Sequence, residues 1–199
     1  MFNRFLYNIG KISFLIIFKV FCGFQATGID NIPKVGGFIV ASNHHSNLDP
    51  IILGVGSPRI INFMAKEDLF RNRFFGWLLS QVGAFPIKRN SGDVGAIKEA
   101  IKRLRIGFGL VIFPQGTRKQ RREIDVQPGI GLLASRGKVT VVPAFITGSG
   151  AALPVGAKWV RPTKISVVYG SPLNFGEEKT YPEIAHEVML KINELEAKL

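Results

Sequence analysis

Cysteine is almost absent from this chain, whose 199 residues include only Cys22. A single thiol cannot form an intramolecular disulfide, and it cannot supply a zinc site made of cysteines alone. This use of cysteine fits a reducing compartment, and a protein on the cytosolic side is the simplest expectation. The length of the chain suits one well-packed domain better than two.

Acidic residues are also few, because 14 Asp and Glu stand against 26 Lys and Arg and leave a formal net charge of +12. This excess predicts an anionic partner, such as nucleic acid, an anionic membrane leaflet, or phosphorylated substrates and carriers. The 16 Phe residues and a positive mean hydropathy favour lipid over a nucleic-acid backbone. The sequence has no finger, basic zipper or RNP-type aromatic motif, so we expect a membrane or lipid partner and no nucleic acid.

The N-terminal segment lacks a long uninterrupted apolar run, although residues 1–24 are apolar overall. Its stretch from Ile12 to Phe24 contains Lys19, whereas a bilayer crossing needs about 20 predominantly apolar residues. No small-residue cleavage site marks a signal peptide. These features disfavour a full single span.

Helical spacing of about 100° per residue separates the polar and apolar residues of this segment. One narrow arc holds Arg4, Asn8, Lys11 and Lys19. The pattern predicts an interfacial amphipathic helix whose cations point toward anionic phosphates. A helix packed on the domain's own core with snorkelling lysines is an alternative, as is a signal peptide or true span. We expect a membrane-associated segment over residues 1–27 and a globular domain over residues 28–199.

After Gly28, short β-branched runs alternate with amphipathic stretches, which is typical of an α/β fold. Strands are predicted at Gly37–Ser42, Ile60–Met64, Ala84–Ile87, Leu110–Phe113, Val139–Ile146 and Lys164–Tyr169. Helices are predicted at Pro50–Gly54, Arg73–Val82, Asp93–Arg105, Gly129–Arg136 and Tyr181–Lys198, the last behind Thr180 as N-cap. We expect a single α/β domain with a mixed, partly parallel sheet flanked by helices, and polar chemistry in the loops after its strands.

The densest group of catalysis-capable side chains follows the strand predicted to end at Ser42. There His44 and Asp49 are five residues apart, and a strand-to-helix turn can bring this imidazole and carboxylate together. The carboxylate would hold one tautomer of the ring and stabilise the imidazolium that forms when the ring takes a proton. Asp49 before Pro50 is equally typical of a helix N-cap, and Asp49 could both cap the helix and orient the imidazole.

Other side chains near this pair permit different chemistry. His45 could ligate a metal, but its potential imidazole partners are only His44 and His186, and no acidic cluster with a familiar zinc spacing accompanies them. Ser46 is a weak candidate nucleophile, because no G-x-S-x-G sequence surrounds it. We therefore predict no metal site, and we interpret His186 as a helix-surface residue.

Four blocks of this sequence resemble the signature blocks of the glycerolipid acyltransferases, the family of the bacterial 1-acylglycerol-3-phosphate acyltransferases. The blocks read Asn43-His44-x-Ser46-x-x-Asp49, Gly83-Ala84-Phe85-Pro86-Ile87-Lys88-Arg89, Phe113-Pro114-Gln115-Gly116-Thr117-Arg118 and Val141-Val142-Pro143-Ala144. They follow the family's order at family-like separations over most of the chain after Gly28. The resemblance implies that residues 28–199 form an acyltransferase domain.

The resemblance also implies acyl transfer without a covalent acyl-enzyme. His44, assisted by Asp49, would deprotonate the sn-2 hydroxyl of 1-acylglycerol 3-phosphate, and that oxygen would attack the thioester of acyl carrier protein or coenzyme A. The product would be phosphatidic acid, formed in phospholipid biosynthesis at the cytoplasmic face of the cell (inner) membrane. The implied partners are a lysophospholipid acceptor, the acyl-thioester donor and an anionic membrane surface, and no metal or redox cofactor is implied.

The family's acceptor site maps onto the second and third blocks. The matching residues are Arg89, Gly116 and Arg118, and a guanidinium binds a phosphate monoester in a bidentate fork. Further candidates for acceptor binding are Gln115, Thr117, Lys66 and Pro143. Arg89 could instead be a surface cation, Gly116 a turn residue with positive φ, and Pro143 a residue that shapes a buried strand.

One position departs from the family pattern, because the third block usually has a glutamate where this sequence has Gln115. The amide keeps the shape of the side chain but loses its charge, so it preserves part of the hydrogen-bond geometry without the electrostatic contribution. The sequence motifs therefore specify the type of reaction more closely than the acceptor molecule. Alternatives are an acyltransferase for another lysolipid or an amino-acid lipid, a non-catalytic lipid-binding protein with the same fold, and, third, a nucleic-acid-binding domain.

Overall fold

The computed structural model describes residues 3–88, 93–116 and 126–198, which form a seven-stranded sheet with helices on both faces. The strands are β1 (Gln25–Thr27), β2 (Phe38–Ser42), β3 (Ile61–Lys66), β4 (Ala84–Ile87), β5 (Gly109–Ile112), β6 (Thr140–Thr147) and β7 (Ser166–Tyr169). Their spatial order is β1-β7-β6-β2-β5-β3-β4. Neighbours are parallel except β6 and β7, which are antiparallel. The predicted α/β domain with a mixed sheet is confirmed.

The helices lie close to the predicted positions. They are α1 (Arg4–Cys22), α2 (Asp49–Gly56), α3 (Arg73–Gln81), α4 (Val94–Arg105), α5 (Gly129–Gly137), α6 (Ser149–Ala152) and α7 (Tyr181–Glu196). Two short elements were not predicted, β1 and α6, because three or four residues carry too little periodicity to recognise. The backbone N and Oγ1 of Thr180 donate to Glu183 at 2.8 and 2.7 Å, as in a capping box. Thr180 is thus confirmed as the N-cap of α7.

The sheet separates two hydrophobic clusters. The first involves α1 and α2 and contains Phe18, Phe38 and Ile52. The second involves α4, α5 and α7. Every residue of β2 is buried, as expected for a central strand covered on both faces. Because β2 to β6 run in the same direction, they end at a common boundary of the sheet, which we call the carboxyl edge.

Helix α1 packs against the domain. Tyr7 and Phe18 are buried, and the Tyr7 hydroxyl accepts a hydrogen bond from the Ile61 amide at 3.2 Å. The Lys11 ammonium donates to the carbonyl oxygen of Ser57, so the prediction that the cations of this helix point toward phosphates is wrong for Lys11. Helix α2, which α1 contacts, has no exposed residue. The division at residue 27 stays a prediction.

The outer side of α1 is apolar and exposed. Its exposed large apolar residues are Phe5, Ile9, Ile12, Ile16, Ile17, Val20 and Phe21. In length and composition α1 could cross a membrane, although core helices and signal sequences meet the same criteria. The packed side of the helix agrees with the core-helix alternative, whereas the outer side agrees with an interfacial helix. Helix α1 therefore has one side packed on the domain and one exposed apolar side.

Replacement of Phe18 by Ala should destabilise the protein, because this ring is 2% exposed and lies 5.9 Å from the Phe14 ring and 6.3 Å from the Phe24 ring. We expect the free energy of unfolding to fall by about 3–5 kcal/mol, visible as a lower midpoint of thermal unfolding in detergent. Ile16→Ala, on the same helix but 58% exposed, is the matched control. Equal midpoints for the two variants would contradict the packing of α1 on the domain.

Candidate active site

The catalytic candidates His44 and Asp49 meet at the carboxyl edge, directly after β2. Nδ1 of His44 lies 2.9 Å from Oδ2 of Asp49, and the two residues are 7% and 0% exposed. Because an ionised carboxylate can only accept hydrogen bonds, this contact assigns the ring proton to Nδ1 and leaves Nε2 as the proton acceptor. The structure therefore brings the two residues together in the arrangement that a carboxylate-oriented base needs.

The backbone also orients the Asp49 carboxylate. Its Oδ2 accepts hydrogen bonds from the amides of His45 at 2.7 Å and Ser46 at 2.8 Å. Helix α2 has Leu48 as its N-cap residue, and the carboxylate binds amides that precede the helix. The N-cap alternative for Asp49 is therefore wrong. Its Oδ1 is buried without a hydrogen-bond partner among the described residues.

Two polar side chains hold the loop that carries this pair. The side-chain nitrogen Nδ2 of Asn43 donates to the carbonyl oxygen of Ile146 at 2.9 Å. The backbone amide of Ile146 donates in return to Oδ1 of Asn43 at 2.8 Å. Asn43 thereby continues the pairing of β2 with β6 beyond Ser42. The Ser46 hydroxyl donates to the carbonyl oxygen of Leu153 at 2.9 Å, so Ser46 braces the loop. This role of Asn43 was not predicted, and its position just after a buried strand was the available signal in the sequence.

An aromatic ring covers one face of the His44 imidazole. The ring of Phe113 stacks on it with centroids 4.0 Å apart and 15° between the ring planes. Phe113 follows β5, which pairs directly with β2. The stack and the Asp49 contact together restrict rotation of the imidazole. This role of Phe113 was not predicted, because it depends on which strand lies next to β2.

Gln115 and Gly116 occupy the turn after β5. Gly116 has φ = +67°, and its amide donates to the carbonyl oxygen of Phe113 at 2.9 Å. A Cβ at this position would lie 3.2 Å from Cγ of Gln127. The turn role of Gly116 is therefore confirmed, and it is compatible with acceptor binding. Gln115 is half-buried, and its side chain makes no hydrogen bond to another described residue.

Three predicted acceptor residues lie outside the described residues, namely Arg89, Thr117 and Arg118. The residue before Arg89 in the chain, Lys88, follows β4 at the carboxyl edge. Its amide donates to Asp93 at 2.9 Å, and the Ala96 amide donates to the other Asp93 oxygen at 3.0 Å. These two hydrogen bonds lower the pKa of Asp93 and tie the end of β4 to the start of α4.

The two weaker candidates lie on strands. Lys66 ends β3 and is exposed. Pro143 is buried in β6 opposite Ala41, and its carbonyl oxygen accepts a hydrogen bond from the Gly170 amide at 2.7 Å. Pro143 therefore shapes a buried strand, as the alternative interpretation expected. Within the described residues, no hydrogen bond joins Lys66 or Pro143 to His44.

No group of three His, Cys, Asp or Glu side chains in the described ranges is arranged to hold a metal ion. Nδ1 of His45 lies 3.4 Å from the side-chain nitrogen of Asn43. His186 is exposed on α7, as predicted. The expectation that the protein needs no metal or cofactor stays a prediction.

A family model described as Acyltransferase matches residues 23–147 of this chain. A 1-acyl-sn-glycerol-3-phosphate acyltransferase of Bacillus subtilis (strain 168) is 31% identical over 191 residues, covering 92% of this chain and 94% of the relative. A protein of the same name from Streptococcus pneumoniae (strain ATCC BAA-255 / R6) is 32% identical over 154 residues, covering 75% of this chain and 55% of the relative. The crystal structure of the 1-acyl-sn-glycerophosphate (LPA) acyltransferase from Thermotoga maritima matches with a TM-score of 0.78 at 25% identity, covering 98% of this chain and 79% of that chain. The chain therefore belongs to the acyltransferase family of enzymes.

Proposed function

We propose that this enzyme transfers a fatty acyl chain from a thioester to the sn-2 hydroxyl of 1-acylglycerol 3-phosphate, which gives phosphatidic acid for phospholipid biosynthesis. The observation that carries the reaction is the buried His44–Asp49 pair, with Nε2 of His44 left to accept a proton. The choice of acceptor rests on the relatives, because those from Bacillus subtilis and Streptococcus pneumoniae are both named for this substrate.

The proposed chemistry uses one base throughout. Nε2 of His44 takes the proton of the acceptor hydroxyl while the oxygen forms a bond to the thioester carbonyl carbon. The tetrahedral intermediate then collapses, the C–S bond breaks, and the imidazolium returns the proton to the departing sulfur. Asp49 remains ionised and stabilises the imidazolium between these two steps. No acyl group becomes bonded to the protein, and no cofactor is consumed.

The acceptor phosphate would bind the cations of the second and third blocks, Arg89 and Arg118. Support comes from the chain topology, since Lys88 and Gly116, the nearest described residues before them, both lie just beyond strands that end at the carboxyl edge. A guanidinium matches a phosphate monoester through two parallel hydrogen bonds. Thr117 and Lys66 are further candidates for contact with the headgroup. Pro143 is no longer proposed as a contact residue, because it is buried within β6.

The apolar outer side of α1 supports seating of the enzyme on a membrane. In a chain with a net charge of +12, an anionic leaflet is the complementary surface. We place the enzyme at the cytoplasmic face of the cell (inner) membrane, where lysophospholipid and acyl thioester meet. The donor is acyl carrier protein or coenzyme A, since both present the acyl group as a thioester.

The test is an acyl-transfer assay of the purified protein in detergent with lysophosphatidate and each donor in turn. We expect phosphatidic acid, identified by mass spectrometry, with at least one donor. Product from another lysolipid or an amino-acid lipid, but none from lysophosphatidate, would overturn the proposed acceptor. If no acceptor gave an acylated product but the protein still bound lysophosphatidate, a non-catalytic lipid-binding protein would be favoured.

Replacement of Gln115 by Glu probes the acceptor site. A carboxylate accepts hydrogen bonds from an acceptor hydroxyl or orients an arginine more strongly than an amide does, by about 1 kcal/mol. We therefore expect kcat/KM for lysophosphatidate to rise by about fivefold. Gln25→Glu, on the exposed strand β1, is the matched control and should leave kcat/KM unchanged. A lower kcat/KM for lysophosphatidate would contradict this prediction, because it would show that the native amide of Gln115 suits the lysophosphatidate headgroup better than a carboxylate does.

A further inference from the structure

Helix α3 exposes an unusual amount of apolar surface for its nine residues. Phe74, Phe75, Trp77 and Leu78 are 72%, 43%, 52% and 43% exposed. The rings of Phe74 and Trp77 are neighbours, with centroids 6.3 Å apart. Large apolar side chains clustered in this way on a protein surface mark a site of interaction.

The apolar surface of α3 lies beside α1. Helix α1 packs against both α2 and α3, and a Cβ on Gly10 of α1 would lie 3.8 Å from Cγ1 of Val82, the C-cap residue of α3. Helix α3 starts soon after β3, separated from it by a short turn at Glu67–Phe70. Its first turn, with Phe74, is therefore near the carboxyl edge at which His44 lies.

Two polar side chains at α3 form hydrogen bonds with the helix's own backbone. The Ser80 hydroxyl donates to the carbonyl oxygen of Gly76 at 2.8 Å. The side-chain oxygen of Asn72, the N-cap residue, accepts from the Phe75 amide at 3.0 Å. These hydrogen bonds leave fewer polar groups that need water, as suits a helix in contact with hydrocarbon.

Cationic residues flank the aromatic ones. Arg73 is exposed at the start of α3, and Arg71, just before the helix, is exposed and forms an ion pair with Asp68 at 3.0 Å. A Trp beside cations is typical of the boundary between headgroups and acyl chains. The net charge of +12, to which Arg73 contributes at this site, disfavours a second copy of this chain as the partner of α3 and favours an anionic lipid surface.

We propose that α3 is a second membrane contact, which inserts Phe74 and Trp77 into the bilayer beside α1. This inference rests on the proposed seating of the enzyme on a membrane, and it is independent of the acceptor and donor. With both α1 and α3 in contact with the bilayer, the domain is held in one orientation relative to the membrane. The carboxyl edge with His44 then lies close to the headgroups, so that a lysolipid acceptor reaches it without leaving the leaflet.

The test uses Trp77 as a probe, since the chain has two Trp residues and Trp159→Phe removes the other. The full chain is reconstituted with phosphatidylglycerol vesicles whose acyl chains carry bromine, and with unbrominated vesicles as the reference. We expect Trp77 emission to shift to shorter wavelength on vesicle binding and to be quenched by the brominated chains. Protein that floats with vesicles while Trp77 stays unquenched would overturn the proposal.

Two other outcomes would also overturn it. An emission shift that depends on protein concentration in the absence of lipid, without bromine quenching, would show that a second copy covers α3. Protein that does not float with vesicles would refute both this contact and the proposed seating by α1. The acyl-transfer assay in detergent, which needs no bilayer, separates either result from a failure of the proposed function.

Substitution of the two rings gives an independent measurement. The double variant Phe74→Ser, Trp77→Ser should bind phosphatidylglycerol vesicles at least about tenfold more weakly than wild type, because it lacks the two large apolar groups whose transfer from water into the bilayer stabilises binding. Its rate with a detergent-solubilised acceptor should be unchanged. Ile106→Ser is the matched control, since Ile106 is 64% exposed at the end of α4, on the other face of the sheet. Equal vesicle binding by the double variant and wild type would contradict insertion of α3.

Discussion

The variant His44→Ala is expected to lose acyl transfer by about a hundredfold or more, because general-base assistance to a hydroxyl contributes rate factors of this size. The loss should appear in kcat for transfer to lysophosphatidate, measured with saturating donor. The imidazole is 7% exposed and contacts Asp49 and Phe113, so the thermal unfolding midpoint is measured alongside the rate. A folded variant with the expected loss would establish the role of the ring.

His186→Ala is the matched control for His44→Ala. It removes the same side chain from an exposed position on α7, where we expect no change in rate. A His44→Ala protein that keeps more than about a tenth of the wild-type rate would contradict the assignment of the base.

The variant Asp49→Asn should lose nearly as much activity while keeping its fold. The amide oxygen can still accept the hydrogen bonds from the His45 and Ser46 amides. The negative charge is lost, however, and with it the stabilisation of the His44 imidazolium. We expect kcat to fall by about a hundredfold or more with little change in KM, which is the pattern of an interaction made mainly in the transition state.

Asp68→Asn is the matched control for Asp49→Asn, because Asp68 forms an exposed ion pair with Arg71 at 3.0 Å, and exposed pairs contribute little. It should leave both kinetic constants unchanged. If Asp49→Asn raised KM with kcat unchanged, the carboxylate would act in substrate binding and its proposed role would be wrong. Asp49→Ala is less informative, since it leaves the backbone amides of His45 and Ser46 without their acceptor.

Hydrophobic periodicity was sufficient to predict most of the fold, because β-branched runs and amphipathic stretches alternate along the chain. It failed for β1, whose three residues are stabilised by pairing with β7, more than 130 residues later in sequence. The helical periodicity also gave the wrong direction for the Lys11 side chain. A helical wheel shows which residues share a side of a helix, but the partner decides which side is buried, and here Ser57 offers a carbonyl oxygen to the ammonium.

The candidate site was predictable where its contacts are local in sequence. Asp49 reaches His44 across a five-residue turn, so the pair could be expected from spacing and residue type. The stack of Phe113 on His44 depends on the pairing of β2 with β5, and the bonds between Asn43 and Ile146 depend on β6. Contacts between segments 69 and 103 residues apart require the strand order, which local patterns do not specify.

The central mechanistic claim is that His44 acts as a base and that no acyl group is ever bonded to the protein. It is tested most directly by incubating the wild-type enzyme with an acyl thioester in the absence of acceptor and measuring the intact mass of the protein, together with initial rates over a matrix of donor and acceptor concentrations. We expect an unchanged mass and intersecting double-reciprocal lines, because both substrates must be bound before transfer. A protein heavier by one acyl group, with parallel lines, would indicate a covalent intermediate and contradict this mechanism.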